Sequence, residues 1–380
     1  MTVTRAALAD AAGLARLAPS SHNCQPWAIA SCESDAAQRA VCEWAGTESR
    51  SSDEHWLVLG VDTARALEAL PTLATEMRLS CGMFLQLFAG ALAEQGFAVR
   101  VVSRDAGARG LRLDGYPSSW SPLAAVAVPP GSPRRPAWSS ALASRRRTNR
   151  AAYEARPVDR DVQHALRHAE ALFAREPDPS PVSVNLIADP QAVRAVGTFV
   201  GKHANVDFTH ADAWRETYRF MRFGTREIET ATDGFAITQL LGPTPAVVRQ
   251  LLRLGLSPTA MRMLRYVGIP TAMARALGAL VGAAPLLVCV SVDRRSPGTE
   301  LVAGGVAMDV WMRATAAGLA LHPVSAILQH DDLRERFQRT LGLAGRAVFF
   351  ARVGYPTATF PSTPRRSLEP GHPSQGWVRL

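Results

Sequence analysis

The stretch Ala18-Pro-Ser-Ser-His-Asn-Cys-Gln-Pro-Trp27 does not read as a helix, because Pro19 fixes φ and Pro26 removes a backbone donor. Between the prolines, Ser20, Ser21, His22, Asn23 and Gln25 supply side-chain donors and acceptors at almost every position. Trp27-Ala-Ile-Ala follows as an apolar run that would anchor the segment as the start of a strand. A rigid, polar-lined loop tied down by a buried aromatic suits a polar, planar ligand. A surface turn with capping Ser and Asn side chains is the competing reading, so the rest of the chain has to decide.

With 380 residues the chain has room for two ordinary domains, or one large one with an embedded repeat. Hydrophobic residues at 47% against 20% charged exclude a disordered chain. The net charge of +9 is almost all arginine, since Lys202 is the only lysine. Together with abundant Ala this points to compositional bias. There is no Lys-rich tail and no basic motif interleaved with aromatics, so no nucleic-acid partner is expected. Acidic small molecules remain candidate partners. Cys24, Cys32, Cys42, Cys81 and Cys289 show neither metal spacing nor a disulfide framework. Residues 1–17 carry Arg5, Asp10 and Arg16 and do not form a signal peptide. The longest apolar run, 276–292, is interrupted by Gly278, Gly282 and Pro285 and reads as a helix end followed by a strand. The expected location is the cytoplasm.

Periodicity predicts a helix over 4–17, strands at 27–31 and 56–62, and a long helix over 64–92 broken near Pro71. Strands follow at 97–102 and 123–128, and 128–139 is a Pro/Gly/Ser-rich linker. The second part repeats the pattern: helices over 138–147 and 160–173, a strand at 182–188, mostly helix over 190–223, and a buried strand over 285–293. A helix over 301–317 and a strand at 346–356 close it. In the first part a buried strand ends at Asp62, and a helix opens at Gly82 and stops at Gly96. In the second, the strand ends at Asp293, and the helix opens at Gly304 and stops at Gly318. The equal separations suggest an internal duplication with a ligand site at the seam.

Two further clusters carry chemistry. Arg145-Arg-Arg-Thr-Asn-Arg150 offers bidentate donors beside a hydroxyl, and Thr363-Pro-Arg-Arg366 is a second pair able to close over the same anion. The competing readings are a solvated helix end and a basic tail.

Taken together, these residues carry a resemblance. Pro19-Ser-Ser-x-Asn-x-Gln-Pro-Trp27 resembles the flavin-binding loop of the nitroreductase family, and Arg146-x-Thr148-x-Arg150 its phosphate motif. Val353-Gly-Tyr-Pro356 followed by Arg365 and Arg366 resembles its C-terminal signature, and 318–325 resembles the segment beside the flavin ring. The order of the motifs is similar to that of the double-length Acg family of FMN-binding oxidoreductases. The resemblance implies an α+β fold of two nitroreductase-like halves, each a mixed or antiparallel sheet flanked by helices, fused in one chain as a pseudo-dimer. The expected division is 1–138, carrying the flavin-contacting loop, and 139–380, carrying the phosphate site.

By the same resemblance, Arg146, Thr148, Arg150, Arg365 and Arg366 would hold the phosphate of FMN. Pro19, Ser20, Ser21 and Asn23 would contact the flavin from the opposite half. Pro323, Val324 and Ser325 would lie near the reactive ring nitrogen. His322 and Ser325 are the candidate catalytic residues, and His22 and His322 the candidate proton donors; no metal site is expected. The family often has Glu-Gly where this chain has Ser325-Ala326, which leaves substrate preference open. The implied activity is FMN-dependent oxidation or reduction of a small organic molecule, acidic or aromatic, with NAD(P)H or O2 as redox partner. A tailoring dehydrogenase of secondary metabolism is one variant of that activity; a flavin-storing protein with little turnover is the alternative. The protein would be a monomeric pseudo-dimer or a homodimer.

The segment 200–285 reads as an insertion. From Gly234 to Val292 it has no Asp or Glu, while Arg249, Arg253, Arg262, Arg265 and Arg275 punctuate an apolar sequence. Three readings stand: helices whose arginines reach to solvent, a lid over the flavin with its arginines at the pocket, and a basic amphipathic membrane surface. They rank in that order, so membrane contact is not the expectation.

Overall fold

The computed structural model describes residues 2–47, 53–103, 110–174, 181–367 and 376–380. The first part runs α1 (Arg5–Ala15), β1 (Trp27–Cys32), α2 (Asp35–Ala45), β2 (His55–Asp62), α3 (Leu73–Glu94), β3 (Arg100–Ser103) and β4 (Trp120–Val128). The second opens with α4 (Arg160–Arg167), β5 (Val182–Ile187), α5 (Pro190–His203), α6 (Asn205–Thr209) and α7 (Ala211–Arg219). Short elements follow: β6 (Met221–Arg222), α8 (Thr225–Thr230), β7 (Phe235–Ala236), α9 (Thr238–Leu241), α10 (Ala246–Gly255), α11 (Pro258–Leu264) and α12 (Ile269–Gly282). The chain closes with β8 (Leu286–Val292), α13 (Pro297–Ala316), β9 (Ala320–Pro323), α14 (Asp331–Leu341), β10 (Arg346–Gly354) and β11 (Trp377–Arg379).

The fold is α+β, with two antiparallel sheets ordered β11-β1-β2-β4-β3 and β5-β8-β10-β9. The orders β1-β2-β4-β3 and β5-β8-β10-β9 repeat one connectivity, with α3 and α13 in equivalent places. β2 and β8 are central in their sheets and almost wholly apolar, because both faces are covered. One core spans both sheets: Phe84 and Phe88 of α3 and Trp311 of α13 pack with Leu57, Val126, Val288 and Ala351 of the sheets. The C-terminal β11 reaches back and adds an edge strand to the first sheet, pairing Ala30 with Arg379.

Several expected boundaries move, each for an identifiable reason. α3 begins only at Leu73, and 64–72 forms turns around Pro71. Over 138–147 only a 3-10 turn, Ser140–Ser144, forms. α4 stops at Arg167; the amides of His168 and Ala169 still bond within the last turn, and from Glu170 on the donors find tertiary acceptors: Glu170 N donates to Asp309 Oδ2 (3.0 Å) and Leu172 N to Gln86 Oε1 (2.9 Å). Gly96 and Gly318 take the left-handed conformation just past their helices, as expected. Gly82 and Gly304 do not open helices; both are interior to them.

Candidate functional site

The 18–27 loop is strained. His22, Asn23 and Gln25 have φ of 50°, 55° and 52°, in the left-handed region that costs a non-glycine residue about 1–2 kcal/mol each. Hydrogen bonds from distant segments hold it there. Asn23 Nδ2 donates to Gly234 O and Pro364 O, both at 2.9 Å, and Asn23 Oδ1 accepts from Arg365 Nη1 at 2.7 Å. Gln25 Nε2 donates to Thr232 O (2.8 Å), and its Oε1 accepts from Arg366 N (3.1 Å). Trp27 is buried at the strand start and stacks on Phe84, with ring centroids 5.2 Å apart. The bends turn Pro19, Ser20, Ser21 and His22 toward a cavity of about 490 Å³.

The opposite wall comes from the second half. Thr148 bridges to Leu321, and Asn149 N donates to Leu321 O (3.0 Å), which aligns 148–150 beside β9. Thr148, Arg150, His322, Pro323, Val324 and Ser325 therefore face the same cavity as the first-half loop. The Val324 amide donates to Phe350 O (2.8 Å), so this residue presents its side chain and not its N–H.

Both histidines are neutral. Burial, then Arg150 and Arg352, holds His322 well below the usual imidazole range. Arg352 Nε donates to His322 Nδ1 at 3.0 Å; a guanidinium only donates, so the proton of this imidazole sits on Nε2. For His22, burial and then Arg150 lower the pKa to about 4. Thr217 Oγ1 lies 3.1 Å from His22 Nε2 and gives its own proton to Ala213 O. His22 is then protonated at Nε2, and Nδ1 is left without a partner. Neither ring is an imidazolium acid at neutral pH, so a proton given by either would come from its neutral N–H.

The remaining predicted residues lie behind the cavity wall. Arg146 is buried with its guanidinium 4.6 Å over the Trp311 ring, and Trp311 lines the cavity. Arg146 Nη2 and Arg365 Nη2 both donate to Leu17 O, at 3.2 and 3.1 Å, so two like charges from separate segments converge there. Arg146 Nε and Nη1 and Arg365 Nε have no acceptor. Burial, then the neighbouring Arg365, lowers the Arg146 pKa well below its ordinary value, and burial brings Arg365 to about 10. Arg366 likewise has Nε and Nη1 without a hydrogen-bond acceptor, but it donates to Trp27 O and its Nη1 faces Asp62 at 3.9 Å. Asn23 serves as the clamp described above.

Two polar groups of the cavity had no signal in the sequence. Glu76, on α3, accepts from Gln329 Nε2 (2.8 Å), and burial pushes its pKa up against hydrogen bonds from Ser21, Gln329 and Ser325. Both residues line the cavity, with Asp207 and Glu216 further along it. They resemble ordinary helix and loop residues until the fold brings them together. The arginine lining that the lid reading requires is not found. The segment 234–284 does contribute Phe235, Leu240, Met273 and Leu277 to the wall, but none of its arginines. Arg253 pairs with Glu227, and Arg249 donates to Phe223 O (2.9 Å) and Thr244 O (3.0 Å).

No family model matches the chain. Among solved structures, the FMN and NADPH-dependent nitroreductase NfnB from sphigopyxis sp. strain HMH is similar, with 17% identity and a TM-score of 0.36. That match covers 60% of this chain and 95% of that one. A nitroreductase with bound FMN from Bacteroides fragilis NCTC 9343 matches with 14% identity and a TM-score of 0.34, over 60% of this chain and 94% of its own. Among curated proteins, the probable NAD(P)H nitroreductase PigM of Serratia sp. (strain ATCC 39006) is 32% identical over 366 residues, 96% of this chain and 92% of PigM. At that identity, over nearly the full length of both proteins, the chain belongs to the NAD(P)H nitroreductase family.

Proposed function

We propose that this protein is an FMN-dependent NAD(P)H oxidoreductase acting on a small organic molecule, with one flavin at the seam between its halves. The observation that carries the reading is the set of buried, unpartnered guanidinium donors on Arg146 and Arg365, which converge on Leu17 O just behind the Trp311 wall of a cavity lined by both parts of the chain. A buried donor without an acceptor costs about 1–3 kcal/mol, and an anionic phosphate relieves that cost. The donor set fits the group. Arg146, Thr148, Arg150 and Arg365 would hold the phosphate, and Arg366 supports them through the loop it braces. Pro19, Ser20 and Ser21 on one wall and Pro323, Val324 and Ser325 on the other would bound the ring, with Asn23 fixing the loop. Bound FMN supplies reversible transfer of an electron pair. The protein's own groups orient and desolvate: His322 offers a neutral Nε2–H, and Glu76, with its raised pKa, is placed to hold or release a proton. Phe235, Met273 and Leu277 exclude water.

The test is direct. Purified protein should carry FMN, and NADH or NADPH should bleach it under anaerobic conditions. Protein that takes up no FMN refutes the cofactor assignment. Flavin that neither nucleotide reduces refutes the reductase reading and leaves a store.

A further inference from the structure

We infer that the outer face of α10, together with the Met263–Val267 turn, is a docking surface for an anionic lipid membrane. Among the described residues, every exposed large hydrophobic lies at 241–269, Val206 excepted. Val247, Leu251 and Leu254 recur at helical spacing on α10, and Met263, Tyr266 and Val267 continue the patch; these six are 62–74% exposed. The helix's other side is half-buried and is tied to the neighbouring helices. Leu252 and Leu256 pack into the cluster around Trp214 and Met261, Trp214 Nε1 donates to Leu256 O (2.8 Å), and Tyr218 OH donates to Arg253 O (2.9 Å).

Charge selects the occupant. Arg262, Arg265 and Arg275 are exposed on the same segment, which has no Asp or Glu between Gly234 and Val292. A second copy docked face to face would meet its own arginines, and a neutral bilayer would leave them uncompensated. An anionic leaflet satisfies both features, apolar side chains entering the interface while arginines meet head groups. Arg265 lies over the Tyr266 ring at 4.7 Å and donates to its hydroxyl (2.6 Å), an aromatic–cation pair suited to that depth. Among the described residues no helix is long and apolar enough to cross a membrane, so the contact is peripheral. α12, which follows the patch, lines the cavity with Met273 and Leu277, so docking would bring the cavity wall close to the lipid.

The experiment is co-sedimentation of the full chain with phosphatidylglycerol–phosphatidylcholine vesicles and with vesicles of phosphatidylcholine alone. Binding should require the anionic lipid and weaken with added salt. Leu251→Asp/Leu254→Asp should abolish it, and Arg262→Ala/Arg265→Ala should lower the partition constant about 25-fold, taking roughly fivefold per arginine. Circular dichroism and thermal unfolding check that both exposed-site variants fold. Equal binding to both vesicle types, binding to neither, or variants that bind like the parent would each overturn the inference. A dimer in light scattering that Leu251→Asp dissolves would do so too, by assigning the face to a second copy.

Discussion

Gly82 and Gly304 meet where α3 and α13 cross: a Cβ on Gly82 would lie 2.0 Å from Leu301 O, and one on Gly304 would lie 2.2 Å from Leu79 O. The contact is reciprocal, since Leu79 precedes Gly82 by the same three positions as Leu301 precedes Gly304. Each glycine lets the other helix's backbone approach, as equivalent positions do across a two-fold axis.

Because the clash is with backbone, no rotamer change relieves it. Gly82→Ala and Gly304→Ala should each cost about 3 kcal/mol or more, seen as a lowered urea midpoint with an unchanged slope. A midpoint matching the parent's would show that the helices can separate freely.

Glu300 precedes Gly304 by four residues, as Arg78 precedes Gly82, so equivalent positions carry opposite charges. Buried Glu300 accepts from Arg78 Nη1 (2.5 Å), Thr75 Oγ1 (2.8 Å) and Arg295 Nε (3.0 Å). Glu300→Ala removes the acceptor of Thr75 and of the mostly buried Arg78, while the more exposed Arg295 can turn to water, and should destabilise by about 2–3 kcal/mol. Denaturant titration measures it.

Arg146 predicts effects of opposite sign. Arg146→Met removes a buried charge with two unpartnered donors, so the flavin-free protein should gain about 1 kcal/mol in stability. The same change should weaken FMN retention about 100-fold, since a charge-assisted contact to phosphate is lost. Fluorescence titration with FMN and unfolding of the apoprotein read the two effects separately. Unchanged FMN affinity would place the phosphate elsewhere.

Acid should destabilise the protein through its neutral histidines. In the unfolded chain an imidazole takes up a proton near 6.5; folded, His22 is held at about 4 and His322 well below its ordinary value. Below pH 6.5 the unfolded state therefore binds more protons, and stability falls as pH drops through the window from 6.5 to about 4. His22→Asn, which tolerates positive φ, should make that fall shallower. Unfolding free energies at about pH 7 and about pH 5 test this, and a pH slope equal to the parent's would refute it.

Arg249→Ala should act on structure and not on anion binding, because this side chain ties α10 to Phe223 O and Thr244 O. A loss of about 1–2 kcal/mol is expected, with affinity for acidic inhibitors unchanged. Salt-dependent loss of inhibitor binding would bring the arginine back to the pocket.

Local sequence determined the elements and the character of the loop. Apolar runs made β2 and β8 central strands, Gly96 and Gly318 could serve as left-handed caps, and two prolines around polar residues kept an α-helix out of 19–26, where only a distorted 3-10 turn, Ser21–Asn23, forms. These follow from sterics and periodicity within a few residues, so they are legible without a fold. Tertiary structure alone decided which groups face each other: Glu76 with Gln329, Arg352 with His322, Arg366 with Asp62, and the unpartnered donors of Arg146 beside Arg365. It also held Arg253 and Arg249 outside the cavity, on Glu227 and on the carbonyls of Phe223 and Thr244. A side chain's type states which bonds it can make; only packing across many residues of separation decides which partner is within 3 Å, and whether water remains to compete.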